Sequence, residues 1–63
     1  MYDKTKIIDK PVKEAQEYLE SIDMILRTIS LDGKPRFVTC DARENRLNVH
    51  IVNDIVTDIQ GIG

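Results

Sequence analysis

The sequence predicts an α+β domain in which one helix packs on a small mixed β-sheet that carries a long exposed loop. Three observations lead there. Apolar residues between positions 12 and 22 recur at helical spacing, two later stretches carry the aliphatic and β-branched patterns of strands, and the segment joining those strands follows neither period. With 63 residues, 41% of them hydrophobic and 32% charged, the chain makes one domain, residues 1–63, around a single small core.

Ile7 and Ile8 form a short apolar lead-in to Asp9-Lys10-Pro11, a helix-start signal with Pro11 at or beside the first turn. Val12, Ala15, Leu19 and Ile22, with Tyr18 beside them, then make one apolar stripe, while Lys13, Glu14, Gln16, Glu17 and Glu20 face away. The stripe gives an amphipathic helix of about three turns, ending between Ser21 and Asp23. Residues 24–31 are rich in Ile and Leu and read as a buried strand, although Arg27 falls in step with Ile25, Ile29 and Leu31. Asp32-Gly33-Lys34-Pro35 is turn chemistry. Leu47, Val49 and Ile51 alternate with Asn48 and His50 as a half-buried strand, Asn53-Asp54 closes a turn, and residues 55–59 form a last short strand before Gln60-Gly61-Ile62-Gly63. If the first two strands are parallel neighbours, their connection must cross over, and this one holds no helix, so a loop has to do that work.

That loop is the costly part of the chain. Ordering each backbone residue costs roughly 1–2 kcal/mol, and long irregular loops in compact domains are usually functional or disordered. The run Val38-Thr39-Cys40-Asp41-Ala42-Arg43-Glu44-Asn45-Arg46 argues for order. Val38 and Thr39 are β-branched and stiff, Asp41 offers a carboxylate, and Arg43 and Arg46 offer planar guanidinium forks able to hold it and nearby carbonyls. Such a segment suits presentation to a partner without collapse.

Composition narrows the classes of function. Nine basic residues against 11 acidic ones, a net charge of -2 and scattered Lys and Arg give no nucleic-acid footprint and no patch for an anionic membrane. No apolar run reaches the length of a membrane span or signal-peptide core, and Met1-Tyr2-Asp3-Lys4-Thr5-Lys6 is polar, so a cytoplasmic location is expected unless a leader was removed. Cys40 is the only cysteine, which excludes an internal disulfide and a cysteine-based zinc site. Neither a metal nor a cofactor is expected, and a monomer is, with oxidation of Cys40 as the route to a linked dimer.

The chain resembles the potato inhibitor I family of serine-protease inhibitors over nearly its whole length. Lys10-Pro11-Val12-Lys13-Glu14-Ala15 is similar to that family's Lys-x-Val-x-x-Ala helix start. Residues 38–47 resemble its reactive-site pattern Val-Thr-x-(Asp/Glu)-x-Arg-x-(Asn/Asp)-Arg-Val, and Gly63 resembles the glycine of its terminal Val-Gly. The resemblance implies a substrate-like inhibitory loop, residues 37–46, with the scissile bond between Cys40 and Asp41. Cys40 would enter the protease's primary-specificity pocket, flanked by Val38 and Thr39 before it and by Asp41, Ala42 and Arg43 after it. Arg46 would reach back under the loop, bonding near Thr39 and Asp41, with Asn48 and Gly63 as further supports. Three departures stand out: the second supporting arginine is Asn48, as in bacterial relatives with an Arg-Leu-Asn run; the glycine before the helix lysine is Asp9; and the usual tryptophan is missing.

Blander readings compete at several positions. Cys40 as a nucleophile would need a base, and the only histidine, His50, lies ten positions away on the polar phase of a strand. A chain this short also has little mass for a substrate pocket. No enzyme and no catalytic residue is therefore expected, and His50 reads as a surface residue. Met24 and Phe37 read as core, and the acidic helix face as plain solvation. Arg43 is balanced between a bracing and a solvated role, whereas the position of Arg46 just before a buried strand favours bracing. The small, uncharged Cys40 favours a subtilisin-like or a chymotrypsin- or elastase-like enzyme over a trypsin-like one. The alternative is a non-inhibitory protein-interaction module that keeps the inhibitor fold.

Overall fold

Four strands form one mixed sheet in the order β2-β1-β3-β4, with β1 at Ile25–Leu31, β2 at Lys34–Pro35, β3 at Arg46–Val52 and β4 at Ile55–Ile62. These assignments come from a computed structural model that describes residues 2–38 and 41–63. β1 and β3 are parallel, and the other two pairings are antiparallel. The one α-helix among the described residues, α1 at Val12–Ser21, lays Ala15 and Leu19 onto one face of the sheet, where they are buried with Ile7, Leu47, Val49, Ile51 and Val56. Burying each of the larger aliphatic side chains contributes about 1.5–3 kcal/mol. This is the α+β arrangement that the sequence pattern predicts.

Tertiary contacts set both ends of the helix. Pro11 stands at the N-cap and makes no side-chain cap, so the first helical N–H, that of Val12, donates instead to the Asp54 carbonyl at 2.7 Å. Two further backbone bonds, Asp9 N–H to the Val56 carbonyl (2.8 Å) and Val56 N–H to the Lys10 carbonyl (3.0 Å), tie the same segment to β4. Asp9 is left-handed with φ 64, a backbone state that favours glycine. At the far end, Asp23 is also left-handed (φ 59), and Met24 N–H reaches the Leu19 carbonyl at 2.8 Å while Asp23 N–H reaches that of Glu20. This is a Schellman ending with Asp in the usual glycine position. A short 3₁₀ turn at Lys4–Lys6, capped by Asp3, precedes Ile7, so the polar N-terminus carries an element that its composition does not signal.

A bulge explains the imperfect alternation of β1. Leu26 and Thr28 lie opposite Leu47 and Val49, then the register shifts by one so that Ser30 meets His50 and Leu31 meets Ile51. Ile29 is the extra residue. Before it, Arg27 faces away from the helix; after it, Leu31 faces the core, so the two need not share a side. The strand begins at Ile25 rather than at Met24, which instead belongs to the helix ending and packs against the core as expected.

Two tight turns set the remaining connections. Asp32 and Gly33, with φ 51 and 82, and Asn53 and Asp54, with φ 51 and 63, are the paired left-handed residues of two-residue hairpins. The first hairpin places Lys34–Pro35 as an extra strand on β1, where the sequence suggested only a turn. The Asp32 carboxylate joins the hairpins by accepting from Asn53 N–H at 2.8 Å.

β4 continues past the expected end at Ile59 to Ile62, with bulges that let Ile59 pair with Val49 and Gly61 with Asn48. Gly61 has φ 142, a backbone state L side chains rarely adopt. The extension carries Gly63 beneath the start of β3.

Phe37 overturns its core reading. Its side chain is fully exposed, at 105% of the reference area, because the chain leaving β2 runs outward along the irregular segment instead of back over the sheet.

Candidate functional site

Residues 36–45 join β2 to β3, and the described residues at the two ends of this connection are pinned to β1. Arg36 N–H donates to the Ile29 carbonyl at 2.9 Å, and Ile25 N–H donates to the Asn45 carbonyl at 2.7 Å. Between these pins, Phe37, Val38, Asp41, Ala42, Arg43, Glu44 and Asn45 are all exposed. Thr39 and Cys40, and with them the expected Cys40-Asp41 bond, lie outside the described residues.

Beneath this segment the face of β3 turned away from the helix is buried as well. Arg46 is 9% exposed and Asn48 4%, so the strand is covered on both sides at this end, where alternation had suggested one wet face. The Arg46 guanidinium spans two parts of the chain. Its Nη2 donates to the Asp41 carbonyl at 2.5 Å, its Nη1 lies 3.5 Å from the Asp41 carboxylate, and its Nε donates to the main-chain oxygen of Gly63 at 2.8 Å. The expected reach from Arg46 to Asp41 is thus present. Arg43 also approaches the Asp41 carboxylate, at 3.3 Å, but that pair is about half exposed (57% and 48%) and contributes little on its own.

Asn48 and Gly63 meet as well. Asn48 Nδ2 donates to the Gly63 oxygen at 3.3 Å, and a Cβ added to Gly63 would stand 3.2 Å from that same nitrogen, tighter than most real contacts. Gly63 N–H donates to the Arg46 carbonyl at 3.0 Å. Asn48 therefore touches the support beneath the segment and makes no described bond to the segment itself.

Arg27 is the participant that sequence reasoning missed. It lies opposite Asn48 in the parallel pairing, donates from Nε to Asn48 Oδ1 at 2.7 Å, and points Nη2 at the Gly63 oxygen from 3.5 Å. The available signal was its place as the one charged residue inside a strand rich in Ile and Leu, where a charge needs a partner.

His50 is half-buried rather than a plain surface residue, its Nδ1 lying 2.7 Å from Ser30 Oγ across the β1–β3 pairing. Among the described residues no cluster of His, Cys, Asp or Glu is placed to hold a metal ion, and no helix is long and apolar enough to cross a membrane. Comparison of the chain with protein-family models, with curated proteins and with solved structures finds no match.

Proposed function

We propose that this chain is a reversible, substrate-like inhibitor of serine proteases, of the subtilisin-like or the chymotrypsin- or elastase-like kind, acting through loop 37–46 with its scissile bond between Cys40 and Asp41. One observation carries the reading: Arg46, itself anchored to Gly63, holds the Asp41 carbonyl and carboxylate from below. An exposed extended segment can add to a protease cleft as a strand. A segment already held in that shape loses less freedom on docking, so more of the contact energy appears as affinity.

The grip on Asp41 also accounts for resistance to turnover. After cleavage at Cys40-Asp41 the new amino terminus would belong to Asp41, and a residue still bonded to Arg46 stays where it can attack the acyl-enzyme and restore the bond. Charge-assisted hydrogen bonds of this type are worth about 1.5–3 kcal/mol each. The exposed Phe37 and Val38 supply apolar surface on the approach to the same bond.

Titration against subtilisin, chymotrypsin, elastase and trypsin tests the reading. Tight, slowly hydrolysed binding to subtilisin and little effect on trypsin are expected. Absence of inhibition across the panel would overturn it and leave an interaction module with a non-protease partner.

A further inference from the structure

We propose that Arg27 is a positioning residue that supports the segment from the neighbouring strand, by fixing the Asn48 amide and through it Gly63 and Arg46. The inference rests on the inhibitor reading for its effect on proteases, but its structural part does not. A guanidinium has only donors, so Arg27 Nε can be met at 2.7 Å only by the amide oxygen of Asn48. The amide nitrogen must then point the other way, toward the Gly63 oxygen at 3.3 Å. Without Arg27 the amide orientation is left to the longer Nδ2 bond to the Gly63 oxygen alone, and the flipped form would set one oxygen against another.

The Gly63 oxygen is where the supports converge. Arg46 Nε at 2.8 Å, Asn48 Nδ2 at 3.3 Å and Arg27 Nη2 at 3.5 Å all approach it, and Arg46 in turn holds Asp41. Because Arg46 and Asn48 are nearly buried, the groups left by a lost partner cannot simply turn to water. A change at Arg27 is therefore passed along Asn48 and Gly63 to Arg46.

The test compares the parent, Arg27→Met, Arg27→Lys and the double variant Arg27→Met/Asn48→Arg. Two quantities are followed: hydrolysis of the Cys40-Asp41 bond by subtilisin, read by mass spectrometry, and solvent exchange of the Arg46 Nε–H in the free protein, read by NMR. Arg27→Met should raise both by roughly tenfold, the size of one lost charge-assisted bond. Arg27→Lys, which keeps the charge but loses the fork, should fall between, and the double variant should return hydrolysis toward the parent rate. If Arg27→Met does not fold, Arg27→Lys carries the comparison. Unchanged Arg46 exchange in the folded variants would overturn the role of Arg27, whether or not the parent inhibits. A parent cleaved as fast as a linear peptide would overturn the inhibitor reading alone, with Arg46 exchange still deciding for or against Arg27.

Discussion

Arg46 and Gly63 hold each other twice: the Gly63 amide donates to the Arg46 carbonyl at 3.0 Å, and Arg46 Nε donates to the Gly63 oxygen at 2.8 Å. The backbone bond sets the distance, and the side-chain bond aims the guanidinium. What remains of that guanidinium faces Asp41, so Gly63 helps to aim the side chain that holds Asp41.

Arg46→Ala should separate stability from inhibition. Loss of the bonds to Gly63 and Asp41 is expected to cost about 1–3 kcal/mol in urea unfolding and to convert a slowly cleaved inhibitor into a substrate. Mass spectrometry of the Cys40-Asp41 bond during incubation with subtilisin checks the second effect. A variant as slowly cleaved and as tightly bound as the parent would show that Arg46 does no more than hold the strand.

Phe37→Ala should do the reverse. A fully exposed side chain contributes little to folding, so stability should change by no more than about 0.5 kcal/mol. Inhibition of subtilisin should weaken by roughly tenfold or more as an apolar contact is removed from the docking surface. Inhibition constants measured beside thermal melts decide it, and a large loss of stability with unchanged inhibition would reverse the assignment.

Cys40 should be alkylated by a thiol reagent in the folded state, and alkylation should block or alter inhibition. Replacement by Leu or Met should strengthen inhibition of subtilisin and chymotrypsin, whose pockets a larger apolar group fills better. Labelling that occurs only after denaturation would place Cys40 in the interior and remove it from the contact surface.

Asp23→Gly should stabilise the fold by up to about 1 kcal/mol. Asp23 sits at φ 59 in the helix ending, where glycine meets no Cβ penalty. The gain is offset in part by the greater freedom of glycine in the unfolded chain. Chemical denaturation of both forms measures the balance, and a loss of stability would mean that the Asp side chain matters there more than its backbone.

Asp3 should titrate below the ordinary aspartate value of 3.8, chiefly because its carboxylate accepts from the Thr5 hydroxyl, with the Thr5 N–H and nearby Lys6 acting the same way. The sign follows from a folded-state pKa lower than the unfolded one. The contribution to the N-terminal turn is present above the unfolded value and is lost as pH falls through the folded one. An NMR titration of the Asp3 carboxyl reads this directly, and Thr5→Val should move the midpoint back up.

Local pattern determined the elements. The apolar stripe from Val12 to Ile22, the alternation of Leu47, Val49 and Ile51, and the Asp32-Gly33 and Asn53-Asp54 pairs each dictate a helix, a strand or a turn from residues adjacent in the chain. Arg46 was also legible, because a charge immediately before a buried strand must find a partner, and Asp41 lies within reach. What the sequence could not decide was the pairing between strands. The bulge at Ile29 that lets Leu31 face the core while Arg27 faces away depends on the register of β1 against β3, and the path of β4 that brings Gly63 under Arg46 depends on two further bulges. Phe37 was misplaced for the same reason: its hydrophobicity is local, but whether the sheet offers it a covered face is not. Registers are set by which side chains pack across the whole sheet, so the cluster of Arg27, Asn48, Gly63 and Arg46 exists only once the chain has folded.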